Sequence, residues 1–209
     1  LKMSENNLIN VSLVIPTYNE AKNIPFLVEE IFNVVDKSKI NLEFIFVDDN
    51  SPDGTGKIAE GLASKYPVKV IRRAGKLGLG TAVIEGFNLS QREYVGVMDG
   101  DMSHNPVILN QMIDALMDND IVMGSRFGKG YKIEGWALHR RIISGLGVFM
   151  ARFITGVDDP LSGYFFMKKD VISCIKLRTT GYKILFEILV KGNYKKVKEF
   201  PYVFRMRKY

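Results

Sequence analysis

Cysteine is nearly absent. Cys174 is the only one, so no internal disulfide can form and packing alone must hold the fold. That scarcity favours a reducing compartment. With Ile172 and Ile175 on either side, Cys174 is expected to be a small core residue. No stretch of 18 apolar residues occurs, so no segment is fit to span a bilayer, although the chain can lie against one. No basic-then-apolar leader marks a signal peptide. Internal repeats, linkers and low-complexity tracts are also lacking, which leaves an ordinary globular chain of 209 residues, long enough to bury a full core.

Apolar residues make up 46% of the chain and charged residues 25%, the usual globular range. The formal net charge is +6 and the isoelectric point about 9.3. That excess suits phosphate ligands, nucleic acid or an anionic membrane surface, and composition does not choose among them. The charge is uneven: from Lys168 to Tyr209 there are twelve Lys and Arg against three Asp and Glu. A basic end on a near-neutral body can serve as a surface for anions or simply be solvated.

Hydrophobic periodicity predicts alternating strands and helices. Val11–Ile15 reads as a strand stopped by Pro16. Asn23 and Pro25 then start a helix along which Ile24, Leu27, Val28, Ile31, Phe32 and Val35 recur at helical spacing. Leu42–Val47 is a second strand, followed by dense turn chemistry at Asn50–Gly54 and a helix near 55–64. Val68–Ile71 is a third strand, and Gly75, Gly78 and Gly80 form a loop before a helix over 81–89. Tyr94–Met98, a helix over 106–117 and a strand over 120–124 follow. Beyond 125 the alternation breaks. Residues 140–154 are apolar almost all round, interrupted by Arg140, Arg141, Ser144 and Arg152. Leu161–Met167 reads as a strand returning to the sheet, 181–190 as a helix and 195–204 as a last strand. The predicted class is α/β, a mostly parallel central sheet flanked by helices.

Val95 to His104 organises this pattern. An apolar strand runs into Asp99-Gly100-Asp101, placing two carboxylates one residue apart where the chain leaves the sheet. In open α/β sheets ligands bind at the carboxyl ends of strands. A carboxylate pair there suits a hard divalent cation, which completes its shell with water and phosphate oxygens. Asp-x-Asp alone is weak and is equally a solvated turn. Three strands, however, end in polar loops bearing Tyr18 and Glu20, Asp48 and Asp49, and Asp99 and Asp101, and a parallel sheet brings those ends to one edge. The Gly75–Gly80 loop lacks the Gly-Lys-Ser/Thr ending of a P-loop. His104 is read as capping a helix or binding a carboxylate. His139 and Trp136 are read as interfacial.

The segments Val14–Glu20, Val47–Thr55 and Asp99–Asp101 together resemble family 2 glycosyltransferases. Lys76–Ala82, Asp101–Pro106, Gly124–Phe127, Asp159–Tyr164 and Gly181–Leu185 narrow the resemblance to the dolichyl-phosphate mannose synthases, over about residues 11 to 208. The resemblance implies a single Rossmann-like catalytic domain of the A-type nucleotide-diphosphate-sugar transferase fold over 1–209. Its nucleotide-sugar half would cover about 11–125 and its acceptor and membrane-interface half about 126–209. It implies Mg²⁺ or Mn²⁺ as cofactor, held by Asp99, Asp101 and Ser103. Many relatives carry glutamine where Ser103 stands, and the shorter serine is a weaker ligand that water can replace. It implies GDP-mannose as donor, with Pro16, Tyr18, Glu20, Val47 and Asp49 on the guanosine and Asp99, Gly100 and Asp101 on ribose, diphosphate and metal. Arg126 and Arg207 would lie on phosphate. Relatives continue past position 209 into a lysine-bearing Gly-x-Ser-Lys segment, and some carry membrane helices beyond it, so the chain is either a natural short form or a cut one.

The implied partner is dolichyl or another polyprenyl phosphate at the cytoplasmic face of a membrane, with the protein peripheral there, and no nucleic acid. Arg140 and Ser144, one helical turn apart, are the candidate acceptor-phosphate ligands, with Ile143, Leu146, Gly147 and Met150 along the prenyl path. Asp99, Asp101 and Arg126 are the candidate catalytic residues, in a reaction that inverts the anomeric carbon. The rival readings are a polyprenyl-phosphate glucosyltransferase using UDP-glucose and a catalytically silent nucleotide-sugar-binding subunit.

Overall fold

The computed structural model describes residues 8–127, 132–133, 150–178 and 183–207. The chain runs β1 (Ile9–Thr17), α1 (Ile24–Val34), β2 (Ile40–Asp48), α2 (Thr55–Leu62), β3 (Val68–Arg72), α3 (Leu79–Leu89) and β4 (Tyr94–Val97). A 3-10 turn at Pro106–Ile108 leads into α4 (Leu109–Ala115) and β5 (Ile121–Ser125). There follow β6 (Lys132–Ile133), a helical stretch at 150–155, β7 (Phe165–Lys168), α5 (Ile184–Lys191), β8 (Val197–Pro201) and β9 (Val203–Phe204).

Seven strands form one sheet in the order β3-β2-β1-β4-β7-β5-β8, and β6 pairs with β9 apart from it. In the large sheet β7 alone runs antiparallel to its neighbours. Helices cover both faces. On one, Val11, Leu13 and Ile15 of β1 and Phe44 and Phe46 of β2 pack under α1, α2 and α4. On the other, Val14, Ile45 and Val47 pack under α3 and α5. This explains why the strands read as unbroken apolar runs. Each fully buried Leu, Ile or Phe contributes about 1.5–3 kcal/mol. At Gly86 of α3 a Cβ would lie 2.3 Å from Val14 Cγ1, so only glycine lets α3 approach β1 this closely.

Several boundaries differ from the periodicity. Pro16 does not stop β1, which continues to Thr17 and pairs Pro16 with Val47. Val14 faces β4, since its carbonyl accepts from the Met98 amide at 3.2 Å. By the alternation of strand backbone Pro16 faces the same way, where β4 has already departed, so its lack of N–H leaves no gap in the ladder. The returning strand begins at Phe165, because Asp159–Tyr164 is held as a loop by its own polar contacts. The last predicted strand is split at Tyr202, which turns the chain from β8 into β9. Cys174 is exposed, not in the core. It follows a short 3-10 turn (Lys169–Ile172) whose Val171 is the buried residue, and it points away from half-buried Ile172 and Ile175.

At the edge opposite the strand carboxyl ends, Glu43 is buried. It accepts from Ser12 Oγ at 2.6 Å and meets Lys69 at 2.9 Å and Arg92 at 3.3 Å. Burial opposes its charge, but the Ser12 hydroxyl and the two cations prevail and hold its carboxyl below the usual range. A group depressed on folding stabilises the fold fully above its unfolded pKa and loses that contribution as pH falls through the folded one. Urea midpoints of the native chain should therefore fall as pH drops below about 4.5, and Glu43→Gln should flatten that slope. Tyr164 is fully buried and, among the described residues, its hydroxyl has no hydrogen-bond partner. Tyr164→Phe should accordingly raise stability by about 1 kcal/mol in equilibrium urea unfolding.

Candidate active site

β1 and β4 pair only from Val11 to Val14 and from Tyr94 to Val97, then part. The strand order reverses here, with β2 and β3 on one side of β1 and β4 on the other. A crevice therefore opens at the topological switch point. Its rim is built from the loops after β1, β2 and β4. Each loop holds one non-glycine residue at positive φ: Asn19 at 59°, Asn50 at 56° and Met102 at 62°. Asparagine adopts this conformation readily, whereas for methionine it costs about 1–2 kcal/mol. The Met102 side chain is anchored in the core, which offsets that strain and fixes the turn between Asp101 and Ser103.

The Asn50–Thr55 turn laces the loop after β1. Ser51 Oγ, Thr55 Oγ1 and Asp53 Oδ2 accept from the successive backbone amides of Asn19, Glu20 and Ala21 at 3.0, 2.9 and 3.0 Å. Asp48 is turned inward and accepts from Ser51 and Thr17. Asp49 is held from both sides: Arg73 Nη1 donates to Oδ1 at 2.5 Å and the Gly78 amide to Oδ2 at 2.9 Å. Arg73 also donates to Thr81 Oγ1 and lies 3.3 Å from Glu85 through Nε. This pins the Gly75–Gly80 loop beside a cavity of about 210 Å³ lined by Pro16, Tyr18, Asp49, Lys76, Leu79 and Ala82. Lys76 Nζ stands 3.9 Å from the Tyr18 ring centroid, across the cavity mouth. Val47 is fully buried and is not among the residues lining the cavity.

The Asp99–Ser103 loop abuts the loop after β1, since a Cβ on Gly100 would lie 3.6 Å from Glu20 Cγ. Asp101 Oδ1 accepts from the Ser103 amide at 3.0 Å. Asp99 Oδ2 is 3.1 Å from His104 Nε2, so His104 does bind a carboxylate. Asp99 also lies flat on the backbone of Gly163, where a Cβ would be 2.9 Å from Oδ2. Ser103 Oγ is buried and, among the described residues, has no hydrogen-bond partner. Glu20 accepts from Asn23 Nδ2 and from Arg207 Nη2, each at 2.6 Å. Burial, with the negative charge of Asp101, holds the Glu20 carboxyl above the usual range against those two hydrogen bonds. Glu20, Asp49, Asp99 and Asp101 thus belong to loops of one rim.

Arg126 is locked by buried Asp159, to which Nε and Nη2 both donate at 2.8 Å. Burial disfavours its charge, but Asp159 prevails and holds the guanidinium above its usual range. Among the described residues Arg126 Nη1 makes no hydrogen bond. Glu199 in turn accepts from the amides of Asp158 and Asp159 at 2.7 and 2.8 Å, which fixes that loop. Arg140 and Ser144, with Trp136 and His139, lie outside the described residues.

The donor set fits a hard cation. Asp99 Oδ1 and Asp101 Oδ2 accept no hydrogen bond among the described residues, and both carboxylates reach the rim. Among the described residues no three His, Cys, Asp or Glu side chains gather into a cage. Two carboxylates with phosphate and water completing the shell is the pattern expected of Mg²⁺ or Mn²⁺.

The family model for glycosyl transferase family 2 matches residues 12–176. The chain belongs to this family. As a family 2 member it is 43% identical over 206 residues to a dolichol-phosphate mannosyltransferase of Pyrococcus furiosus, covering 95% of this chain and 57% of that one. It therefore spans little more than half of that relative's length. A dolichol-phosphate mannosyltransferase of Saccharomyces cerevisiae is 34% identical, with 88% and 71% covered. The fold matches glucosyl-3-phosphoglycerate synthase of Mycobacterium tuberculosis, solved with Mn²⁺, UDP-glucose and phosphoglyceric acid, at TM-score 0.70 and 16% identity over 96% of this chain and 72% of that one. Mannosyl-3-phosphoglycerate synthase of Rubrobacter xylanophilus matches at TM-score 0.67 and 17% identity, over 96% and 68%. Those two likenesses establish the A-type fold.

Sequence reasoning on this family 2 domain gave no role to Arg73, Glu199 and Tyr202, nor to Asp159, although Asp159 opens one of the segments that carry the resemblance. Each works through a partner 24 or more positions away, and no local spacing marks it. Arg73 and Asp49 form a buried ion pair with side chains 2% and 7% exposed. Arg73→Met should cost about 3–5 kcal/mol in urea unfolding, because Asp49 would keep its charge without its cation. Trypsin should then cut after Lys76 faster than in the native chain.

Proposed function

We propose that this chain transfers mannose from GDP-mannose to dolichyl or another polyprenyl phosphate, inverting the anomeric carbon to give a dolichyl β-mannosyl phosphate. The observation that carries the reading is the 43% identity to a dolichol-phosphate mannosyltransferase across nearly the whole of this chain, in a domain whose acidic rim opens beside a cavity of about 210 Å³. On this reading the nucleotide-sugar half is about 11–125 and the acceptor half about 126–209 of one catalytic domain. The cavity between Tyr18, Asp49 and Leu79 takes the nucleoside. Asp99 and Asp101, with Ser103 beside them, hold Mg²⁺ or Mn²⁺, and a Mn²⁺-bound relative of the same fold supports this choice. The ion, when bound, supplies Lewis-acid stabilisation of the departing diphosphate.

The chain's own residues do the rest. Arg126, oriented by Asp159, turns its uncommitted Nη1 to phosphate, and Arg207 adds positive charge from the Glu20 side. Both act where negative charge grows as the bond between sugar and diphosphate breaks. An acceptor phosphate oxygen attacks the anomeric carbon, and the diphosphate oxygen leaves with the bonding electrons as GDP. The phosphate monoester is already ionised near neutral pH, so no side chain need take a proton, and positioning replaces general-base catalysis. Arg140 and Ser144 bind the acceptor phosphate on this reading.

The acceptor lies in a membrane, and one exposed surface suits that setting. Met150, Phe153 and Ile154 share one helical face, with Phe153 90% exposed. Such a face can lie in the interface of a bilayer, which supports a peripheral domain, placed on this reading at the cytoplasmic surface. No helix among the described residues is long and apolar enough to cross a membrane.

The test offers the purified chain radiolabelled GDP-mannose or UDP-glucose with dolichyl phosphate and Mn²⁺. A β-linked mannosyl lipid from GDP-mannose is expected, and Asp101→Asn should lower its rate at least about a hundredfold. Arg140→Ala should raise the KM for dolichyl phosphate while GDP affinity holds. Transfer from UDP-glucose would overturn the donor, and an α-linked product the inversion. Tight GDP binding without any transfer would mark a silent subunit.

A further inference from the structure

Behind Asp99 lies a buried chain of side chains that the reaction itself does not use. His104 is 2% exposed and Tyr202 4%. His104 Nε2 stands 3.1 Å from Asp99 Oδ2, and His104 Nδ1 stands 2.6 Å from the Tyr202 hydroxyl. Burial holds the Tyr202 phenol well above its usual range, so it keeps its proton. That hydrogen goes to Nδ1, which leaves Nε2 as the nitrogen that donates to Asp99. The same segment is tied down twice more: the Tyr202 amide donates to the Ser125 carbonyl at 3.2 Å, and the Arg205 amide to the Ser103 carbonyl at 2.9 Å. The backbone of Gly163 also packs against Asp99, closely enough that a Cβ there would lie 2.9 Å from Oδ2 and 3.2 Å from Oδ1.

We propose that His104 and Tyr202 are positioning residues that commit one oxygen of Asp99 to the protein and present the other alone to a divalent cation. The proposal rests on the metal reading given above. It has a consequence for ion choice. Mg²⁺ and Mn²⁺ take single carboxylate oxygens in compact octahedral shells, whereas the larger Ca²⁺ accepts bidentate carboxylates in looser ones. A carboxylate with one oxygen already engaged therefore favours the smaller ions. Groups behind a metal ligand commonly change metal affinity 10- to 100-fold when removed.

The experiment is Mn²⁺ titration of the chain with GDP, followed by electron paramagnetic resonance, with Ca²⁺ as competitor. It compares the native chain, Tyr202→Phe, His104→Ala and His104→Gln. Gln places an amide N–H near the position of Nε2, and urea unfolding of each variant serves as the check on folding. Expected are about tenfold weaker Mn²⁺ binding in His104→Ala and Tyr202→Phe, a shift of about tenfold toward Ca²⁺ in the competition, and partial recovery of both in His104→Gln. Native-like Mn²⁺ and Ca²⁺ binding in folded Tyr202→Phe and His104→Ala would overturn the proposal alone, as would equal weakening for the two ions. A native chain that binds no Mn²⁺ beyond that held by free GDP would overturn the metal reading and this proposal together.

Discussion

Like charge crowds one edge of the sheet, and the structure around that edge is arranged to tolerate it. Glu20, Asp49, Asp99 and Asp101 are set on loops of a single rim, two of them buried. Carboxylates a few ångströms apart in a medium of reduced dielectric repel by several kcal/mol unless cations or donors stand beside them. Each has its own remedy. Arg73 and the Gly78 amide take Asp49, Arg207 and Asn23 take Glu20, His104 takes one oxygen of Asp99, and the Ser103 amide takes one oxygen of Asp101. Among the described residues, Asp99 Oδ1 and Asp101 Oδ2 are the oxygens of these four carboxylates left without a donor. On the proposed reading a divalent ion and its diphosphate fill that place.

The sheet makes this crowding possible. Helices on both faces bury β1, β2 and β4 so thoroughly that only their ends reach solvent. The separation of β1 from β4 after Val14 and Val97 then turns those ends into walls of a crevice. Backbone strain is gathered in the same three loops. Met102 illustrates how the fold sustains it, since its side chain is core while its backbone serves the rim.

Much of this architecture is legible in the chain before folding. The alternation through residue 125 follows from apolar runs and turn residues, and the convergence of three acidic loops follows from parallel strands alone. What stays hidden is hidden for physical reasons. Pro16 reads as a terminator because its neighbours in the sheet cannot be known from sequence; it is admissible only where β4 has left. The antiparallel insertion of β7 and the small β6–β9 pairing depend on long-range registers that no periodicity encodes. Cys174 looks like core by its flanks, yet a 3-10 turn rotates it outward. Arg73 appears as one basic residue among 29, and nothing nearby hints at Asp49. The Asn-Ser-x-Asp-Gly-Thr segment reads as turn chemistry, but its side chains hold the backbone of a different loop.

The residues after β8 have a bearing on the order in which the molecule is made. Tyr202 reaches back 98 positions to His104, and Arg207 reaches back 187 to Glu20. A growing polypeptide on the ribosome can form β1 through β5 and expose the whole acidic rim before either tie exists. The braces on His104 and Glu20 therefore come from residues made after the loops they hold.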